Sequence, residues 1–291
     1  MMDGEIAVPH RMGRGNAVMK VITLGTGSPL PDPNRAGPST LVRTSSGDFL
    51  FDCGRGVLMR SAAAGTGPLG FHTVLLTHLH SDHTTDFNDI VTMRWAMSPT
   101  EQPLRVIGPV GTRRFADLTL AMLEGDIGYR MAHHRDLTWR PTCEVQEVSD
   151  GVAFDDGSVK IIAAPTDHAP VRPTVGYRVE TEGRSVCIAG DTVPCEGLDK
   201  LAAGADVYVQ TVLRTSLVRA IPSPRLQDIL DYHSSIEDAA ATAARAGVAT
   251  LVLTHLVPSP WPGTEDEWAD EARTIFAGDV VIASDLTELV L

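Results

Sequence analysis

The sequence predicts an α/β fold of mixed type (α+β), with a metal site where its strands end. Three observations point there. The run Thr77-His78-Leu79-His80-Ser81-Asp82-His83 places four hard-to-bury ligands in six residues, directly after the short, apolar, β-branched stretch 73–77. Three later strand-like runs, 159–164, 185–189 and 250–254, are each followed closely by a further candidate: His168, Asp191 and His255. An alanine-rich helix, residues 235–246, closes the pattern of strands alternating with helical segments. In such architectures loops converge at the carboxyl ends of the strands, and sites form there.

Taken along the chain, residues 1–18 carry Gly, Arg and Pro but no continuous apolar core, so they read as a flexible tail and not as a signal peptide. No apolar run approaches the roughly 18 residues that span a bilayer, so no membrane association is expected. After the strand at 73–77, a bend can turn His78 and His80 toward one ion, leaving Asp82 and His83 for a second. Neutral imidazole suits zinc and similar metals, and a carboxylate adds charge and oxygen coordination. His78, His80 and His168 would fill one site, and Asp82, His83 and His255 the other, with Asp191 bridging. Three or four protein ligands per ion leave room for a shared water, as a catalytic site requires. Taken singly, His168, Asp191 or His255 would read as a hydrogen-bonded structural residue; their common placement after strands reverses that.

Ser234, with Glu237 three residues on, fits a capping box opening the helix at 235–246, and Gly247 is its stop. His233 then sits just outside a helix N-terminus, where the dipole favours a neutral imidazole. From there it can hydrogen-bond a phosphoryl oxygen or protonate a leaving group. His233 and Asp82 are therefore the candidate catalytic residues. His133-His134 follows no strand end, and adjacent residues rarely aim at one ion, so the pair reads as structural or as a pocket edge. Arg214, Arg219 and Arg225 could bind an anion, but Asp228 and Asp231 follow them and make this a mixed, solvated face.

Composition narrows the function. With 43% hydrophobic and 21% charged residues the chain is that of a soluble globular protein. Its 37 acidic and 24 basic residues give a net charge of −13, whereas nucleic-acid binders usually carry a basic surplus. The four cysteines, Cys53, Cys143, Cys187 and Cys195, are widely spaced with no C-x-x-C pair. That implies reduced thiols, a cytoplasmic location and no zinc–thiolate site.

These residues together resemble the metallo-β-lactamase superfamily, and within it the ribonuclease Z branch. The H-x-H-x-D-H motif is common to the superfamily. The finer similarity lies in Leu24-Gly25-Thr26-Gly27-Ser28-Pro29, Phe51-Asp52-Cys53-Gly54, Thr166-Asp167-His168, Ala189-Gly190-Asp191-Thr192, His233-Ser234-Ser235 and Leu253-Thr254-His255, which occur in the branch's order from about residue 21 onward. The resemblance implies that residues 19–291 form a single domain, an αββα sandwich of two packed β-sheets flanked by helices with a dinuclear metal site at the sheet edge. It also implies two Zn2+ per chain, with Mn2+ or Fe2+ as alternatives, and a homodimer.

Three departures bear on the substrate. Only 23 residues separate His168 from Asp191, enough for one tight hairpin and not for the arm with which the branch commonly grips tRNA. The branch's His-Glu-Ala-Thr segment reads Gln210-Thr211-Val212-Leu213 here, so Thr211 replaces the glutamate that orients the non-ligand histidine. Leu256-Val257-Pro258-Ser259-Pro260 replaces a Ser-x-Arg-Tyr segment. Asp52 and Asp167 are candidates for orienting ligating imidazoles. The expected activity is phosphodiester hydrolysis by a metal-bridging hydroxide, with a small diester or an RNA 3′ end as substrate. The alternatives are a true tRNA 3′-processing endoribonuclease, or an arylsulfatase, lactonase or β-lactamase-type hydrolase whose apolar pocket would use Phe87, Trp95 and Met97. A metal-retaining protein without turnover is a further possibility that the intact ligand set disfavours.

Overall fold

The computed structural model describes residues 19–291; the tail expected at 1–18 lies outside the described residues. The first half of the chain forms β1 (Lys20–Gly25), β2 (Ser39–Thr44), β3 (Gly47–Phe51), α1 (Val57–Ala63), β4 (Phe71–Leu75), α2 (Ser81–Thr84), α3 (Phe87–Met97), β5 (Leu104–Gly108), α4 (Thr112–Met122), α5 (Glu124–His133) and β6 (Cys143–Glu147). The second half forms β7 (Gly151–Asp155), β8 (Val159–Pro165), β9 (Val175–Thr181), β10 (Arg184–Ile188), α6 (Glu196–Ala202), β11 (Val207–Leu213), α7 (Thr215–Ala220), α8 (Pro224–Gln227), α9 (Ile236–Ala246), β12 (Thr250–Val257), α10 (Glu265–Arg273), β13 (Asp279–Ile282) and β14 (Thr287–Val290).

Two seven-stranded mixed sheets result, in the orders β14-β1-β2-β3-β4-β5-β6 and β13-β12-β11-β10-β9-β8-β7. Strands from β3 to β6 pair in parallel, as do those from β10 to β13. Their inner faces meet in one apolar layer that includes Phe49, Phe51 and Leu75 from one sheet and Val159, Tyr177 and Val209 from the other. Helices α1, α3 and α4 cover the outer face of the first sheet, and α6, α9 and α10 that of the second. A strand covered on both faces must be apolar throughout, and β11 (VYVQTVL) is buried at every position. The αββα sandwich is therefore present.

The inter-sheet layer also fixes the ligand loop. The Tyr177 hydroxyl donates to the Leu76 carbonyl (2.7 Å), and the Val175 N–H donates to the Thr77 carbonyl (2.9 Å), so the second sheet holds the exit of β4 in place. The hairpin β9–β10 turns on Glu182 and Gly183, both at positive φ (53° and 75°), the two-residue turn suited to a twisted hairpin. No arm fits into that connection.

Element ends differ from the expectation in three places. β4 stops at Leu75, because the Thr77 N–H leaves the ladder for the Asp52 carboxylate. His255 lies inside β12, at φ 48°, where the register against β11 shifts, so it projects from a bulge and not from a loop. Helix α9 begins one residue later than expected. Its capping box joins Ser235 with Asp238, while the Ser234 hydroxyl donates to the Thr192 carbonyl (2.7 Å).

Candidate metal centre

At the shared carboxyl edge, β4 and α2 deliver His78, His80, Asp82 and His83, the β8–β9 loop His168, the turn after β10 Asp191, and the bulge in β12 His255. The sequence allows this close approach through glycines. A side chain at Gly25 would place its Cβ 1.7 Å from the Gly37 carbonyl oxygen, and one at Gly54 would come within 2.4 Å of the Asp82 carbonyl oxygen.

The donor atoms form two groups, each with its atoms within 4.8 Å of one another: His78, His80, His168 and Asp191; and Asp82, His83 and His255. Asp191 Oδ2 joins them, at 3.9 Å from the Nε2 atoms of His78 and His168, 3.3 Å from that of His83 and 3.7 Å from that of His255. His80 presents Nδ1, at 3.1 Å from His78 Nε2 and 3.4 Å from His168 Nε2.

The far sides of the His83, His78, His168 and His233 rings are fastened, whereas His255 Nδ1 is buried without a hydrogen-bond partner. His83 Nδ1 donates to Asp52 Oδ2 (2.8 Å), and the Thr77 hydroxyl donates to the same oxygen (2.8 Å). That hydroxyl accepts from His78 Nδ1 (3.0 Å), so one carboxylate orients two imidazoles. His168 Nδ1 donates to the Tyr232 carbonyl (2.8 Å), and His233 Nδ1 to the Ile229 carbonyl (3.1 Å), which directs His233 Nε2 toward Asp191 Oδ2 (3.2 Å). Thr77, Tyr232 and Ile229 were not singled out by the sequence. Thr77, next to a ligand histidine, carried a readable signal, whereas a backbone carbonyl carries none.

Two expected orienting residues do otherwise. The Thr211 hydroxyl donates to the Gly190 carbonyl (3.0 Å) and does not reach His233, because β11 points it at the β10 turn. Asp167 is half exposed and accepts from the Ala169 N–H, while the carbonyl of Tyr232 takes the place expected of it beside His168. Phe87, Trp95 and Met97 do not come together into the apolar pocket expected for a sulfatase or lactonase. Phe87 and Trp95 are core residues under α3, and Met97 is exposed. His133 and His134 are exposed, and Arg214 is paired with Glu267 and Glu271.

The electrostatics suit a cation. Burial holds His78 well below the ordinary histidine pKa and lowers His168 and His80 as well, so these imidazoles stay neutral and can ligate. Burial pulls His83 and His255 down too, but Asp191, joined by Asp52 at His83 and by Asp82 at both, outweighs it and raises them. Against their own burial, His255 and His83 hold Asp191, and His83 and His255 hold Asp82, below the usual carboxylate range. His83 Nε2 and Asp191 Oδ1 are buried without hydrogen-bond partners, a state that costs about 1–3 kcal/mol per group unless something fills it. Buried imidazoles facing uncompensated carboxylates fit a divalent metal.

The beta-lactamase superfamily domain matches residues 48–256. Ribonuclease Z of Mycobacterium avium (strain 104) is 56% identical over 271 residues, covering 92% of this chain and 97% of that protein. Ribonuclease Z of Mycobacterium tuberculosis (strain H37Rv) is 52% identical with the same coverage. Among solved structures, the metallo-β-lactamase fold protein YhfI of Bacillus subtilis superposes with TM-score 0.73 (22% identical, covering 95% of this chain and 100% of that one). The short form of human tRNase Z superposes with TM-score 0.70 (24% identical, 93% and 98% covered). Both solved structures carry the same fold, and the sequence relatives give the branch: this chain belongs to the ribonuclease Z family of the β-lactamase superfamily.

Proposed function

We propose that this protein is a tRNA 3′-processing endoribonuclease, a metal-dependent hydrolase that cuts a precursor RNA beyond its acceptor stem. The observation that carries the reading is the 56% identity to a ribonuclease Z across 97% of that protein's length. The small-diester reading, drawn from the short hairpin and the acidic charge, gives way to it, because close relatives named ribonuclease Z match this chain almost from end to end.

In this reading His78, His80 and His168 would hold one Zn2+ and Asp82, His83 and His255 a second, with Asp191 shared between the two groups. Bound there, such ions lower the pKa of water and offset charge developing on the phosphoryl oxygens. The chain's own residues do the rest. Asp52 and Thr77 fix the rings of His83 and His78, and the Tyr232 carbonyl fixes that of His168, so donor geometry is set before substrate arrives. His233, only 11% exposed and held through Nδ1, turns Nε2 to the centre, where it can pass a proton to the leaving oxygen. Residues 19–291 act as a single domain, the active species is a homodimer, and the location is cytoplasmic. Among the described residues no helix is long and apolar enough to cross a membrane.

Cleavage of a precursor tRNA bearing a 3′ trailer by zinc-loaded protein tests this. A single cut near the end of the acceptor stem is expected. An intact precursor, with an aryl phosphodiester still hydrolysed, would return the assignment to a small-diester enzyme.

A further inference from the structure

At the sheet edge that carries the metal ligands, a groove of about 790 Å³ opens between two loops. One wall is the loop after β1, with Leu30, Pro31, Pro33 and Arg35. The other is the loop after β12, with Pro260, Trp261 and Pro262, and Ser284 beyond β13 completes the lining. Both walls spring from carboxyl strand ends, the edge that carries the metal ligands. They are tied together where the Leu256 N–H, one residue past His255, donates to the Thr26 carbonyl (3.1 Å). Trp261 follows His255 by six residues, so it lies within about 20 Å of that ligand.

The lining chemistry is unusual for a surface. Trp95 and Trp268 are buried and Trp139 is half-buried, yet Trp261 is 80% exposed, with Leu30 at 48% across the groove. Single exposed apolar residues are ordinary, but a flat indole facing a leucine among prolines in one groove is an aromatic platform. The two carboxylates on the groove are occupied locally. Asp32 accepts from the Asn34 N–H and Glu265 from the Gly263 N–H. Between groove and centre, exposed Arg55 extends from the Asp52–Gly54 segment to the Pro29 carbonyl (3.4 Å), where a guanidinium can meet a phosphate.

We propose that this groove receives an unpaired nucleobase of the RNA substrate next to the scissile phosphate, stacked on the Trp261 indole, with Arg55 on the intervening phosphate. The inference rests on the ribonuclease reading and adds a substrate-binding residue to it. Base–aromatic stacking tolerates any base, because every base has a π-face, and in a protein of net charge −13 the local phosphate contact falls to Arg55.

Two measurements test it. Quenching of tryptophan emission by a short single-stranded oligoribonucleotide reads the groove without turnover; it is expected in wild type, absent in Trp261→Ala, and weaker with a duplex of the same sequence. On precursor tRNA, Trp261→Ala should raise KM by roughly 5- to 100-fold with kcat nearly unchanged. Trp261→Phe should recover most of that, and an abasic nucleotide beside the scissile bond should erase the difference between wild type and Trp261→Ala. Equal KM values with no quenching would overturn the proposal. So would a change of oligomeric state in Trp261→Ala by sedimentation, which would make the groove a contact between copies. Wild-type quenching without precursor cleavage would leave the groove standing and sink the ribonuclease Z reading instead.

Discussion

Asp52 is the residue on which the geometry of the centre turns. Its carboxylate accepts from His83 Nδ1, the Thr77 N–H and the Thr77 hydroxyl, and it stands at φ 57°, a strained conformation for a residue with a side chain. Asp52→Asn keeps the shape but weakens the hold on two imidazoles; metal affinity should fall about 10- to 100-fold in a chelator competition, with the fold retained. Protons compete for the same place. In the metal-free protein His83 and His255 are raised above an unfolded value of about 6.5, so the stability their protons contribute is fully present below that pH and is lost as pH rises through the folded values. His78 and His168, lowered by burial, act below about 6.5 and in the opposite sense, so the two effects occupy separate windows. The unfolding temperature of metal-free protein should therefore drop as pH is taken from about 6.5 upward, and a rise there would contradict these assignments. At this scale the candidate ligands were legible because seven imidazole and carboxylate groups clustered after buried strands are a pattern that chance rarely gives. Asp52 was legible as a group that orients an imidazole, but the Tyr232 and Ile229 carbonyls that hold His168 and His233 were not, because a backbone carbonyl has no sequence signature. Thr211 was misread because a sequence match gives a position in β11 but not the direction of its side chain.

At the scale of elements, helix α9 supports His233, the candidate catalytic histidine. Ser235 accepts from the Asp238 N–H, and Asp238 accepts from the Ser235 N–H (3.0 Å), closing the helix start two residues after His233. Ser235→Ala should cost about 0.5–2 kcal/mol of stability, read from a denaturant midpoint, while metal content stays unchanged. The expected cap was Ser234 with Glu237; the one that forms is Ser235 with Asp238. A tertiary contact, the Ser234 hydroxyl on the Thr192 carbonyl, decides between them and has no local signature. The bulge at His255 was hidden for the same reason, since its register is set by pairing with β11 and by the Thr26 carbonyl. The β9–β10 hairpin was legible because the short span from His168 to Asp191 leaves room for one tight hairpin, and its turn falls on Glu182 and Gly183.

Across the whole molecule, the two sheets bring residues far apart in sequence to one edge, and each sheet alone holds only part of the centre. The first supplies the H-x-H-x-D-H loop and Asp52; the second supplies His168, Asp191 and His255. Folding and metal binding are thus coupled through the apolar layer between them. Net charge was a poor guide to substrate at this scale, because it averages over a surface on which a local edge decides what binds. The most direct test of the account is cleavage of a precursor tRNA by His80→Ala and His233→Ala proteins, with bound metal counted in each. His80→Ala should lose metal and cleavage together, while His233→Ala should keep its metal and lose cleavage. Undiminished cleavage by His80→Ala would contradict it.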